Sequence, residues 1–247
     1  MIVERAEHPS WTSNAYLVAD GDGGHGVLVD SNGVEESLLA QVEARRLTIT
    51  HVLVTHQHAD HVVDVAGLAR RFGVPVVGSA LTREAGVPID ETIGDRDVVR
   101  SGELEIQAIA TPGHCPDHLA LLVDGSDCLT GDCLFKGTVG GTGGGGPTGY
   151  ADQYDSIMNR LMSLAPGTRI HPGHTLPSTV GDEWERNPFV RLWRGLDAEG
   201  SEPCLVRGEP ATLILFGPDY DGTHKAWVRY PDGRDAIVGG SQIERYG

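Results

Sequence analysis

No apolar run in the 247 residues reaches the length, about 18 or more, that a membrane-crossing helix needs. The start, M-I-V-E-R-A-E-H-P, has neither the basic nor the apolar region of a secretory signal. No membrane association is therefore expected, and the location read from the sequence is cytoplasmic. Positive charge is scarce: 19 Lys and Arg face 35 Asp and Glu, a formal net charge of -16. Nucleic acid and anionic lipid are normally met by a basic surface, so nucleic-acid partners are not expected either. Cysteine is sparse and scattered. Cys115, Cys128, Cys133 and Cys204 form no C-x-x-C pair, which excludes a structural zinc knuckle or a dithiol motif and leaves buried thiols in a reducing compartment. No repeat at a solenoid period is visible.

With 39% apolar and 22% charged residues, the chain can bury a large core. Short apolar runs at 15–19 and 26–30 flank D-G-D-G-G-H and read as a β-hairpin. Leu38, Leu39 and Val42 are at helical spacing within 34–46, and 49–54 reads as a buried strand. A helix is expected over 61–72, closed by Gly73 and Pro75. Strands follow at 76–78, 98–99, 104–110, 119–123 and 128–130. Residues 137–149 hold eight glycines and read as a surface loop, before a helical pattern through Tyr154, Ile157, Leu161 and Leu164. Past N-P-F-V-R at 187–191, a short helical stretch leads to strand-like runs at 213–216, 225–230 and 236–238, divided by P-D-Y-D-G and Y-P-D-G turns. The expected organisation is an α/β domain over 1–199 and a small antiparallel β appendage over 200–247. The appendage either joins copies into a homo-oligomer or covers a pocket, and its composition does not choose.

The chemistry is concentrated in T-H-Q-H-A-D-H at 55–61, with three histidines and one aspartate just after a strand. At a strand end that turns into a helix, alternate residues aim at one point and the next two at a neighbouring one, so a single segment can serve two metals. Imidazole and carboxylate suit zinc, iron or manganese alike. Three more candidates stand at strand ends, each beside a glycine that lets the backbone turn sharply: His114 in T-P-G-H, Asp132 in T-G-D-C-L-F and His174 in H-P-G-H-T.

The order H-x-H-x-D-H, G-H, G-D, G-H resembles the metallo-β-lactamase superfamily over roughly residues 10–191. T-P-G-H, T-G-D-C-L-F and P-G-H-T-L-P-S-T-V-G-D-E-W-E-R-N-P-F-V are similar to the short bacterial glyoxalase II-like (hydroxyacylglutathione hydrolase-like) enzymes. The resemblance implies a four-layer αββα sandwich with metals at one edge. It places His56, His58 and His114 on one divalent ion, and Asp60, His61 and His174 on another. Asp132 bridges the two, and catalytic roles fall to Asp60 and Asp132. Zinc is the first expectation, with iron or manganese as the others. The implied reaction is hydrolysis of a small acyl-thioester by a metal-bridged hydroxide, since coordination lowers the pKa of water from about 15.7 to about 7. A thiolate, with a conjugate acid near a pKa of about 8.5, leaves without strong acid help. The partner is thus a small-molecule substrate.

Departures from the pattern are specific. Residues 140–143 read G-G-T-G where such enzymes carry G-R-T-D, which removes an anchoring interaction of that loop. Cys115 stands where Thr is usual, and it and Cys133 are expected to pack inertly beside the site. Lys136 is the candidate for meeting an anionic substrate group. Residues 192–247 do not resemble the helical region that holds glutathione in longer members. Of the histidines outside the motifs, His8, His25, His51 and His224 read as ordinary, while His118 and His171 lie close enough in sequence to steady ligands. Two other activities use the same residues: a mononuclear iron persulfide dioxygenase on His56, His114 and Asp132, and a lactonase on the full bimetallic set. A degenerate binding or scaffold module is the reading outside enzymology, and seven competent ligand positions weigh against it.

Overall fold

A computed structural model describes residues 1–143 and 148–245. The first six-stranded sheet contains, in spatial order, β1 (Ile2–Glu7), β2 (Asn14–Ala19), β3 (His25–Val29), β4 (Thr48–Leu53), β5 (Val76–Gly78) and β6 (Glu91–Thr92). Strands β3 to β6 run parallel. Period-two alternation sorts β2 cleanly: Leu17 faces the helices, while Tyr16 and Val18 face the second sheet. Against the outer face lie α1 (Glu36–Ala44), through Leu38 and Val42, and α2 (Val65–Phe72), through Val65, Leu68 and Ala69. The short helix α3 (Ala80–Glu84) follows β5.

The second sheet has the order β14-β13-β10-β9-β8-β7, built from β7 (Val98–Ser101), β8 (Leu104–Ala110), β9 (Leu119–Val123), β10 (Asp127–Gly131), β13 (Arg169–Pro172) and β14 (Ser178–Thr179). A small hairpin, β11 (Leu134–Phe135) with β12 (Thr138–Val139), follows β10. Leu104, Ile106, Ala108, Leu121 and Leu129 meet the first sheet's inner face. Ala120, Cys128 and Ile170 point outward onto helical residues, namely Ile157 and Leu161 in the stretch after α4 (Tyr150–Asp155), Val180 on α5 (Val180–Arg186) and Phe189 on α6 (Pro188–Trp193). The result is the αββα sandwich, helices outside and two sheets within.

A third, five-stranded antiparallel sheet comprises β15 (Glu202–Val206), β16 (Glu209–Pro218), β17 (His224–Arg229), β18 (Asp235–Gly239) and β19 (Ile243–Arg245). One face adds Ile214, Trp227 and Ile237 to the outer core of the second sheet. The other gathers Cys204, Val206, Leu213, Ala226 and Val228 into a small core of its own.

Several features differ from the expectations drawn above, the short elements α3, β6, β14, β15 and β19 among them. Strand β1 was not foreseen: V-E-R-A-E mixes charge into an edge strand that is mostly only half-buried, so no apolar run marks it. The helix expected from His61 begins at Val65. Residues 59–61 form a single tight turn instead, and Asp64 caps the helix by accepting from the Gly67 N–H. Its closure at Gly73, in the left-handed region, is as expected. The glycine-rich segment is less of a surface loop than its composition suggests, because Thr138, Val139 and Gly140 are buried; residues 144–147 of it lie outside the described residues.

Trp227 ties the third sheet to the sandwich: its ring packs 5.1 Å from Tyr150 and its Nε1 donates to Asp235 at 2.8 Å. Trp227→Ala should cost about 3–5 kcal/mol, read as a lowered urea midpoint. An unchanged midpoint would show that the third sheet contributes nothing to that core.

Candidate metal centre

Strands β8, β10 and β13 are mutually parallel, because β9 is antiparallel to both β8 and β10, and β13 runs parallel to β10. Their C-terminal ends therefore share one edge of the second sheet. His114 comes from the connection after β8, Asp132 directly follows β10, and His174 comes two residues after β13. Facing them, the T-H-Q-H-A-D-H segment leaves the C-terminal end of β4. The seam between the two sheets is fastened here: the Tyr16 hydroxyl donates to the Pro172 carbonyl at 2.7 Å and Asn14 Nδ2 to the same oxygen at 2.9 Å.

All seven ligand-type side chains expected from the motifs are brought together. One ligand atom each from His56, His58, His114 and Asp132 forms a group within 4.8 Å, and Asp60, His61 and His174 form a second. The Asp132 carboxylate lies between the groups. Its Oδ2 is 3.3 Å from His174 Nε2, 3.5 Å from His114 Nε2 and 3.9 Å from His56 Nε2, and its Oδ1 is 3.4 Å from His61 Nε2. His56 Nε2, His61 Nε2 and Asp132 Oδ1 are buried without a hydrogen-bond partner. Three buried, unpaired ligand atoms converging on one volume are costly unless something electrophilic fills it. The donor set, imidazole nitrogen with carboxylate oxygen, fits divalent metal ions.

Two glycines make the convergence possible. Gly131 has φ +45, and a Cβ there would stand 2.6 Å from His118 Nε2. A Cβ on Gly173 would lie 2.2 Å from Asp132 Oδ1. Neither position has room for a side chain.

Around this group the candidate ligands are held by neighbours. Asp30 accepts from the Thr55 backbone N–H and hydroxyl, both at 2.8 Å, and from His61 Nδ1 at 3.0 Å, leaving Nε2 of that ring free to face inward. His118 Nε2 accepts the Asp132 N–H at 2.9 Å, and its Nδ1 donates to Thr111 Oγ1 at 2.7 Å. Burial, with the nearby His114, pulls the His118 pKa down to about 3, so the ring stays neutral and keeps that acceptor. Burial also lowers His56, with His61 adding to the effect. In His61 burial pulls downward too, but the Asp132 and Asp30 carboxylates outweigh it and the pKa rises. Burial would raise Asp132; the histidines His174 and His61 overcome it and hold the carboxyl ionised. His171 is different: it bonds Asp127 at 2.8 Å on the β10–β13 ladder.

The sequence model of the Metallo-beta-lactamase superfamily matches residues 9–174. The chain belongs to that superfamily. A hydroxyacylglutathione hydrolase from Rhodobacter capsulatus is 30% identical over 87% of this chain and 96% of its own length. Among solved structures, ETHE1 from Myxococcus xanthus aligns with a TM-score of 0.69 at 29% identity, covering 80% of this chain and 92% of that one. TTHA1623 in a di-iron-bound form aligns with a TM-score of 0.63 at 32% identity, covering 76% and 100%.

Several details of this superfamily member were not legible in its motifs. Tyr220, in the turn between β16 and β17, stacks on His174 with ring centroids 4.3 Å apart and 17° between planes, and contacts Phe135 at 5.0 Å. Lys225 lies 5.3 Å from the Tyr220 ring and pairs with Asp219 at 2.9 Å. P-D-Y-D-G carries only a turn signal, so nothing local marked Tyr220 as a neighbour of His174. The G-G-T-G segment, expected to have lost an anchor, supplies one from its backbone: the Gly141 carbonyl accepts from His114 Nδ1 at 2.9 Å. Lys136 is exposed in the turn between β11 and β12. Among the described residues, no helix is long and apolar enough to cross a membrane.

All four cysteines are buried and unpaired. Burial raises the Cys115 and Cys133 thiols, Asp117 adding to the shift at Cys115, and Cys128 is pushed up to about 12. Thiolates are scarce under these conditions. Native protein should therefore release no colour from a disulfide reagent such as DTNB, with four thiols titrating in guanidinium. Rapid reaction of one thiol in the native state would identify a reactive cysteine.

Proposed function

We propose that the chain is a metal-dependent hydrolase that cleaves a small acyl-thioester, in the manner of glyoxalase II. His56, His58 and His114 would hold one divalent ion, Asp60, His61 and His174 a second, and Asp132 would serve both. The observation that carries this reading is the Asp132 carboxylate, whose Oδ2 lies within 3.5 Å of a histidine of each group, His174 and His114, while its Oδ1 lies 3.4 Å from His61. Bound divalent ions supply Lewis acidity, which lowers the pKa of water and draws charge from an acyl carbonyl. Zinc is the first expectation, with iron or manganese as alternatives.

The chain's own residues hold this arrangement. Asp30 and Thr55 orient His61, His118 fixes the backbone at Asp132, and the Gly141 carbonyl orients His114. Asp60, partly exposed at the mouth, and Asp132, buried beneath it, are the carboxylates assigned to catalysis. Tyr220 covers the ring of His174. Lys136, exposed on its turn, is the candidate for a distal anionic group of the substrate. The relatives named hydroxyacylglutathione hydrolase support the thioester class. We place the enzyme in the cytoplasm as a protein with no nucleic-acid or membrane partner, and divide it into an α/β domain at 1–199 and the β appendage beyond.

A persulfide dioxygenase reading uses a single iron on His56, His114 and Asp132, whose ligand atoms also converge. It leaves Asp60, His61 and His174 gathered without an ion, and the buried His61 Nε2 without a partner. A lactonase would share the whole metal set and differ only in pocket shape.

Plasma mass spectrometry of protein purified without chelators should find about two divalent ions per chain, and an acyl-thioester panel should show hydrolysis. Asp132→Ala should lose both metal and turnover while keeping the native circular dichroism. About one iron per chain, with oxygen uptake and no thioester cleavage, would overturn the hydrolase reading in favour of persulfide oxidation. Activity on lactones alone would move the substrate class.

A further inference from the structure

We infer that the C-terminal sheet is a working part of the metal centre: it fixes the ring of His114 through Thr142 and the Gly141 carbonyl, which makes Thr142 a positioning residue. The inference rests on the reading of His114 as a metal ligand.

Because a carbonyl can only accept, the 2.9 Å contact puts the proton of neutral His114 on Nδ1. Nε2 then keeps its lone pair, aimed toward Asp132 Oδ2 at 3.5 Å and His58 Nδ1 at 2.9 Å. A metal-binding imidazole needs this tautomer and this aim, and the group bonded to its far nitrogen commonly sets both. The aim of the ring is only as fixed as the peptide that carries the Gly141 oxygen.

That peptide belongs to a glycine-rich segment which, untethered, would sample many conformations. Here it is clamped on both sides. Upstream, the Gly140 N–H donates to the Cys133 carbonyl at 3.1 Å, and the backbone passes so close to Asp132 that a Cβ on Gly140 would lie 1.9 Å from the Asp132 carbonyl oxygen. Downstream, Thr142 and Ile237 exchange two hydrogen bonds: the Thr142 N–H donates to the Ile237 carbonyl at 2.8 Å, and the Ile237 N–H donates to Thr142 Oγ1 at 2.9 Å. Ile237 is on β18, pairs with Trp227 of β17 and is completely buried. The tether thus ends on a rigid element of the third sheet.

Tyr220, in the β16–β17 turn of the same sheet, lies flat on His174, so the C-terminal part of the chain touches a histidine of one group directly and steadies one of the other through Thr142 and Gly141. The sheet packs against the catalytic edge rather than hanging from it. A glycine-rich loop can still orient a ligand, because the orienting group is a peptide carbonyl held in place by a strand 95 residues further on.

The test compares Thr142→Val, which keeps the shape and removes the hydroxyl acceptor, with Thr142→Ser, which keeps the acceptor. In the metal-free full-length chain, nitrogen-15 histidine spectra should show a single His114 tautomer, protonated at Nδ1, in wild type and Thr142→Ser. Thr142→Val should show exchange between tautomers. In chelator competition with zinc, Thr142→Val should weaken one of the two binding steps about tenfold and spare the other, while Thr142→Ser matches wild type. Wild-type spectra and wild-type zinc binding in Thr142→Val would overturn the inference. So would equal weakening of both steps with a broad loss of dispersed signals, since that is what a merely structural role produces. If wild type itself binds no zinc, the ligand reading fails, and the His114 spectrum still decides whether the tether orients the ring.

Discussion

The rest of the structure depends on keeping a buried carboxylate ionised among histidines. Asp132 is nearly inaccessible, and an isolated charge there would be driven to take a proton. His174 and His61 hold it charged, and His118 accepts its backbone N–H. Each of those groups must arrive from a different strand end. The two sheets can supply them only because β8, β10 and β13 finish at one edge, opposite the end of β4. The inter-sheet core of Val18, Val27, Leu53, Ile106 and Leu121 keeps those edges in register.

Charge compensation alone leaves the cluster strained in hydrogen bonding. His56 Nε2, His61 Nε2 and Asp132 Oδ1 find no hydrogen-bond partner within the protein, while the far nitrogens of the two rings are bonded to Thr55 and Asp30. Groups that are satisfied on the outside and bare on the inside define a shell built around something else. That asymmetry distinguishes a prepared cation site from a structural ion-pair network, in which the partners satisfy one another.

The candidate ligand positions were legible because each occurs in a short motif of chemically unusual composition at a strand end: T-H-Q-H-A-D-H, P-G-H and T-G-D need no tertiary information to be noticed. The sandwich was legible through the family resemblance of those motifs and through apolar runs such as V-L-V at 27–29. What could not be read are contacts whose meaning is supplied by distance in sequence. Tyr220 sits in a segment that reads only as a turn, and Thr142 in one that reads only as glycine-rich. Strand β1 was hidden by charged residues on a half-buried edge, and the start of α2 was displaced because the tight turn at 59–61 claims His61 for the site. In each case tertiary placement overrode the local signal.

The tether between Thr142 and Ile237 is made mostly of peptide groups, and peptide groups carry no record of which residue bears them. Strand β18 could exchange its half-buried Ala236 and still present the same N–H and C=O to the loop. A C-terminal module joined in this way is free to drift in sequence, or to be replaced by another element offering one strand edge at the same place, without disturbing the histidine it steadies. Such a replacement would fall at the periphery and leave the edge that gathers His114 and Asp132 as it is.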